Sequence, residues 1–394
     1  MQIPQNRKFF HLFLLPLGCI GLSNGFLVLS IVIFLYYKIK YKTRTIFNMF
    51  SSNSYIKYSC LAMFFWIICM TVVSYFNGGS NQVWAYLQRI MLFFIVGFYY
   101  CSTLDRDRFF KFVWLGIGCA ALILSIDTIY QALMLNKWRP NSSLLGNPNK
   151  LGGFLILVMP FIFAGIYKYY NDKRLFFFGL VSAILTFSAL IISGSRGALG
   201  GLIGALLIAV LIMLFKNQGC AKYAKKIIGV LLLILVAVGI LYYIKPDFLI
   251  HGSDGERMLL WKSTIKMIAD YPVAGVGFGN FNNIYVSEYI SPLAREPHLT
   301  SPHNIFLHYL VNLGFLGGIP FIILVVIQIY VLIKNIGGDL SNSVWIIAGL
   351  VSVLGMVIHG MVDTLITTRP YAMMYWLLYG ISCSEFICKG KYNE

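Results

Sequence analysis

The chain has 394 residues, is 59% hydrophobic and only 11% charged, and carries a formal net charge of +17 with a mean hydropathy of +0.77. A soluble domain holds about 25% charged residues, so this composition excludes a soluble globular protein. Apolar runs close to the roughly 20 residues needed to cross a bilayer recur throughout, which makes the chain an all-α polytopic membrane protein.

The first run, from Phe9 to Tyr37, is long for one crossing and short for two; Pro16, Gly18, Gly21 and Gly25 are placed to break it. Further spans are predicted at 57–76, 84–101, 109–133, 151–169, 175–193, 198–215, 226–244, 312–334, 343–364 and 371–388. The total is eleven or twelve helices, read as a single integral membrane domain over 1–394. No cleavable signal peptide is expected, because the first run lacks a small-residue cleavage site before more spans follow.

Charge orients the helices. Lys38, Lys40, Lys42, Arg44, Lys57, Arg106, Arg108, Lys111, Lys168, Lys173, Arg174, Lys216, Lys222, Lys225 and Lys226 fall in loops on one side, which should be cytoplasmic. The positive balance is therefore topology, and no nucleic-acid partner is expected. Asp105-Arg106-Asp107 spells DxD, a pattern that can hold a metal–sugar-phosphate, but it lies in a basic cytoplasmic loop and reads as solvated charge. The cysteines show no CxxC pairing and read as small buried hydrophobes.

On the opposite, outer (periplasmic or extracellular) face, residues 193–204 (SGSRGALGGLIG) join two spans by a tight turn. Gly197/Gly201 and Gly200/Gly204 have the spacing that lets membrane helices pack closely. Arg196 is pinned at the membrane boundary; as a lone residue it could be a simple interfacial anchor. GSRG lacks the Lys and spacing of a phosphate-cradling P-loop.

The loop at about 245–302 is the only long one, and loops of that size beside a helical bundle are usually functional. Within it, 252–272 predicts an amphipathic helix that could lie flat on the membrane. At about 100° per residue, Arg257, Leu260, Trp261, Thr264, Ile265 and Ile268 share one face; Glu256, Lys262, Ser263, Lys266 and Asp270 share the other. An Arg on the apolar face wants a partner, and planar bidentate donation suits phosphate; snorkelling or pairing with Glu256 or Asp254 explains it equally well.

The loop runs into Ser301-Pro302-His303-Asn304. Ser301 is expected to cap the next helix, with Pro302 at its first position and His303 in its first turn. The positive end of the helix dipole there would keep the imidazole neutral, the form a general base needs. His308 is not on the same face, and no HExxH or similar spacing points to a metal site.

In order, SRGA (Arg196), ERMLLW followed by MIADYPVAGVGFGNF, PHN and GFLGG resemble the bacterial O-antigen ligase and polymerase superfamily, and GNPNKLGG at 146–153 resembles its earlier loop-to-helix motif. The resemblance runs over about 140–335. It implies a GT-C-type membrane glycosyltransferase of the bacterial inner membrane, which transfers a glycan from undecaprenyl pyrophosphate to an acceptor hydroxyl on the outer face, with inversion and without a metal or other cofactor. Matched residue by residue, it implies His303 as base and Arg196 and Arg257 as pyrophosphate ligands. Asn304, beside the base, and Trp261, lining a lateral path for the lipid tail, join them as substrate-binding candidates. The partners implied are the lipid-linked donor, a glycan or glycolipid acceptor such as lipid A-core, and the bilayer.

Elementary chemistry agrees: two guanidinium groups can stabilise a pyrophosphate leaving group, and a neutral imidazole can take a proton from a poorly nucleophilic hydroxyl. The pattern leaves open whether Lys137, Arg139 and Arg295 also reach substrate. Ligase is the first reading and surface-polysaccharide polymerase the second. A transporter is the reading from a different class; it would need charged mid-membrane groups, for which Asp127 and the pair His359/Asp363 are the only candidates, and their neighbours place them near span ends.

Overall fold

The computed structural model describes residues 10–41, 54–102, 106–137, 139–216, 218–244, 254–297, 299–337 and 343–387, and among them every regular element is helical. Helix α1 (Phe10–Cys19) and helix α2 (Asn24–Tyr41) form a hairpin, with the break at Gly21 (φ +82°) and Ser30 Oγ donating to His11 O at 2.9 Å. The first apolar run therefore folds back on itself, as its Pro and Gly spacing suggests. Helices α3 (Ser54–Asn77), α4 (Ser80–Ser102), α5 (Arg106–Leu133), α6 (Pro148–Lys168), α7 (Lys173–Ile192), α8 (Arg196–Lys216) and α9 (Gln218–Ile244) follow at the expected places. Then come α10 (Asp254–Asp270), the short α11 (Phe281–Ile284), α12 (Ile305–Asn335), α13 (Val344–Gly360) and α14 (Arg369–Ile387). Among the described residues six helices, α3, α5, α6, α7, α8 and α12, are long and apolar enough to cross a membrane. The protein is thus a polytopic helical membrane protein.

Local chemistry explains the ends that matter. Asn147 caps α6, accepting from Asn149 N (2.8 Å) and Lys150 N, with Pro148 at the first helical position where a missing N–H costs nothing. Gly194 turns at φ +61°, so α7 ends and α8 starts within four residues. Behind that turn, α8 lies against α13. A Cβ on Gly197 would meet Val362 and the His359 ring, one on Gly201 would meet Gly355 O, and one on Gly204 would meet Ile358. Gly200, expected to share this role, faces open space. The seam is made by the glycines on one helical face only.

Helix α12 is broken. Gly314 has φ +59° and ψ −163°, a conformation open in practice only to glycine. The chain after α10 inserts into the gap and takes over the lost helical hydrogen bonds: Val276 N donates to Val311 O (2.8 Å), Gly277 N to Asn312 O (3.0 Å), Phe315 N to Pro272 O (2.7 Å) and Leu316 N to Val273 O (3.1 Å). Irregular backbone inside a membrane bundle is tolerated only where protein satisfies it, and here the YPVAGVG and GFLGG motifs do so for each other. Asn77 Nδ2 at the end of α3 donates to Ala274 O and Gly275 O, closing the joint.

Helix α10 forms as expected but is turned. Leu260, Ser263, Thr264, Met267 and Ile268 are buried, whereas Ile265 is 57% exposed. Ser263 goes inward because its Oγ donates to Tyr289 O at 2.6 Å, a partner the helical wheel does not contain. With Val276, Phe281, Tyr285 and Val311, this face makes a small core of its own, so α10 packs on protein rather than lying free on a surface.

Candidate functional site

A cavity of about 600 Å³ opens where α6, α8 and α10 begin, beside the PHN segment and the end of α13. Its wall includes Arg139, Arg196, Arg257, His303, His359 and Asp363. Arg196 is the first residue of α8, delivered there by the Gly194 turn. Arg257 comes from the first turn of α10. Three of the sequence candidates, Arg196, Arg257 and His303, therefore meet in one place although they come from separate segments of the chain.

Of the residues left open, Arg139 belongs to the wall, whereas Lys137 and Arg295 do not. Its backbone is left-handed (φ +52°), and its guanidinium donates to Asn149 Oδ1 (3.2 Å) and Ser193 O (3.5 Å). Burial, followed by repulsion from Arg196 and Arg257, lowers its pKa from the ordinary value. An arginine stays protonated at neutral pH regardless, so Arg139 sits in the field of two further cations, in a wall that also carries Glu256 and Glu296.

His303 is not in the first helical turn. Asn304 is the N-cap of α12, accepting from Phe306 N (3.0 Å) and Leu307 N (3.1 Å), and His303 stands just before it with φ +49°. The expected cap, Ser301, instead shares a hydrogen bond of 2.7 Å with Thr364 Oγ1. The helix-dipole argument for a neutral imidazole therefore gives way to a specific partner: His303 Nδ1 lies 3.3 Å from Asp363 Oδ1. The His303 side chain is 33% exposed, while Asp363 is buried. Burial opposes the charge on Asp363. The hydrogen bond from His303, the neighbouring imidazoles and the N–H of Thr364 (2.7 Å) outweigh it and hold the carboxyl below its ordinary value. An ionised carboxylate on Nδ1 fixes the tautomer with the proton there and leaves Nε2 as the basic nitrogen.

The other two candidates have structural tasks. Asn304 is buried with both ends of its amide occupied, Oδ1 by the cap and Nδ2 donating to Met361 O at 3.0 Å, so it fastens His303 to the Met361–Thr364 segment rather than facing the cavity. Trp261 is not part of the cavity wall; its Nε1 donates to Pro302 O at 2.9 Å, directly before the imidazole. Sequence reasoning saw Asp363 and His359 only as groups near a span end. Neither carries a motif of its own, and only the approach of α13 to α12 brings Asp363 to His303. Asp127 accepts from Ser142 Oγ (2.8 Å) and Gln131 Nε2 (3.2 Å) and so anchors the Arg139 loop. Neither transporter candidate stands as an isolated mid-membrane charge.

Asp105 of the DxD lies outside the described residues; Asp107 is 3.9 Å from Lys168, at the far end of α6 from the cavity. Among the described residues no three His, Cys, Asp or Glu side chains group as metal ligands.

A helical membrane protein with an arginine-lined cavity and a carboxylate-held histidine is the class that fold and site define. Residues 181–322 match the O-antigen ligase family model. The chain is 26% identical over 216 residues to an O-antigen ligase of Pseudomonas aeruginosa, covering 52% of this chain and 50% of that protein. It is 23% identical over 278 residues to an uncharacterized protein of Haemophilus influenzae, covering 63% and 67%. Over residues 181–322 the chain is thus similar to the O-antigen ligase family, and it spans about half the length of the Pseudomonas ligase it matches.

Proposed function

We propose that the protein is a GT-C-type membrane glycosyltransferase of the bacterial inner membrane, ligase-like, which moves a glycan from undecaprenyl pyrophosphate to an acceptor hydroxyl. The observation that supports this most is the meeting of Arg139, Arg196 and Arg257 with the His303–Asp363 pair in one cavity. The arginines bind the pyrophosphate and stabilise the negative charge that grows on its leaving oxygen. His303 Nε2 takes the proton of the acceptor hydroxyl as that oxygen attacks the anomeric carbon. One C–O bond forms and the bond to pyrophosphate breaks, with its electron pair leaving on the phosphate oxygen. Attack opposite the leaving group inverts the anomeric carbon. The charge these arginines bring is the kind a metal ion would otherwise supply, which is why the reading is metal-independent. The loop charges support a cavity on the outer face of the membrane.

The test uses purified protein in nanodiscs, an undecaprenyl-pyrophosphate glycan and candidate acceptors in EDTA. Wild type should release undecaprenyl pyrophosphate; His303→Ala should bind donor without turnover. A single addition supports the ligase and a ladder of products the polymerase. Full activity in His303→Ala would overturn the mechanism.

A further inference from the structure

A second concavity of about 410 Å³ lies between α6, α8, α9 and α13, and its character is opposite to that of the arginine cavity. Along α6 it begins at Met159, about 15 Å of helix beyond Asn149, and it ends near Tyr170. Its walls are apolar, with Pro160, Leu206, Val230 and Ile347 among them, and it is open on one side, where Phe163 and Tyr170 are exposed. Lys226 is the one charged residue in the lining, and its Nζ lies 4.3 Å from the centroid of the Tyr167 ring. The same end of the bundle carries Lys111, Lys168, Lys173, Arg174 and Lys225. The acids described there are Asp107, 3.9 Å from Lys168, and Asp172, 3.9 Å from Lys111. Cations therefore outnumber acids around the mouth of an apolar groove.

We propose that this groove binds one anionic phospholipid, its acyl chain between α9 and the α6–α8–α13 wall and its phosphate at Lys226. The argument is complementarity at both ends. An apolar slot between helices in a bilayer is filled by hydrocarbon, and basic side chains at its mouth favour a lipid with a net negative head group over a zwitterionic one. Tyr167 and Tyr170 stand at the end of α6 beside Lys168, and aromatic rings of this kind favour the polar boundary of a bilayer. The lipid fills the space that α9 leaves as it crosses the bundle. This site stands apart from the proposed transfer chemistry and does not depend on it.

The experiment uses the full chain in detergent with phosphatidylglycerol carrying a diazirine in one acyl chain. Photolabelling should map to the stretches of α6 and α9 around Phe163 and Val230. Unlabelled phosphatidylglycerol should compete at least about fivefold better than phosphatidylcholine, the discrimination one basic residue at a membrane surface provides. Lys226→Glu should lower labelling about tenfold or more, and Lys226→Arg should retain it. Lys226→Gln, which removes the charge but keeps an unbranched polar side chain one atom shorter, replaces the Glu variant if that one does not fold. Equal competition by phosphatidylcholine, or undiminished labelling of both charge-removing variants, would overturn the proposal. So would displacement of the probe by undecaprenyl phosphate but not by phosphatidylglycerol, which would mean that the groove holds a polyprenyl chain.

Discussion

His303 Nδ1 and Asp363 Oδ1 lie 3.3 Å apart across sixty residues of sequence, joining the start of one helix to the end of the next. The carboxylate holds the imidazole through Nδ1, so Asp363→Asn should leave the protein folded and its donor affinity intact while lowering kcat by about 10²-fold or more, the scale of a lost general base or its orienting partner. A kcat within a factor of two of wild type would show that the imidazole needs no orientation.

The same pair sets a pH dependence. Asp363 is held below its ordinary value, so the folded state favours its ionised form. That contribution is fully present above the unfolded carboxyl's ordinary pKa, about 3.9, and is lost only as pH falls through the lower folded value. The stability difference between wild type and Asp363→Asn should therefore be flat from pH 7 to about 5 and shrink below about 4. A difference that shrinks already between pH 7 and 5 would contradict the direction of the shift.

Arg139, Arg196 and Arg257 share the cavity wall with Glu256 and Glu296, and the proposed pyrophosphate site rests on the three guanidinium groups. Inorganic pyrophosphate should raise the Tm of wild type, because a ligand that binds only the folded state stabilises it. The rise should be smaller in Arg139→Gln, Arg196→Gln and Arg257→Gln alike. If Arg139→Gln responds as wild type does, Arg139 belongs to the loop and not to the phosphate site.

Trp261 offers a sharper separation of roles. Trp261→Phe keeps an aromatic ring and removes the N–H that holds Pro302 O. If the indole steadies the His303 turn, kcat should fall about three- to tenfold, the worth of one hydrogen bond, with donor affinity unchanged. Loss of affinity for the lipid donor without loss of kcat would restore the lipid-path role.

The joint between the outer loop and α12 has a pair of opposed controls. Gly275→Ala places a Cβ 2.5 Å from Gly314 N and Val311 O, at a residue with φ +64°, and should abolish stable expression. Gly200→Ala faces open space in α8 and should be neutral or stabilise by about 0.5–1 kcal/mol. Equal tolerance of both in a thermal-unfolding series would mean that the insertion does not hold the fold.

The sequence by itself determined the helical membrane class and the order of the spans, and it named Arg196, Arg257 and His303, which line one cavity, because apolar run length and motif order are properties of adjacent residues. It also offered Pro16, Gly18, Gly21 and Gly25 as candidate breaks in the first run; the chain turns at Gly21, and Pro16 stays within α1. Only the tertiary structure decided the remainder. Asn304 rather than Ser301 caps α12 because Ser301 finds Thr364, and Ser263 turns inward because it finds Tyr289 O. Arg139 enters the site because Asn149 and Ser193 hold it there, and Asp363 becomes the partner of His303 because α13 returns beside α12. Each of these depends on a polar partner supplied by a distant segment, and hydropathy and helical period contain no information about which segments meet.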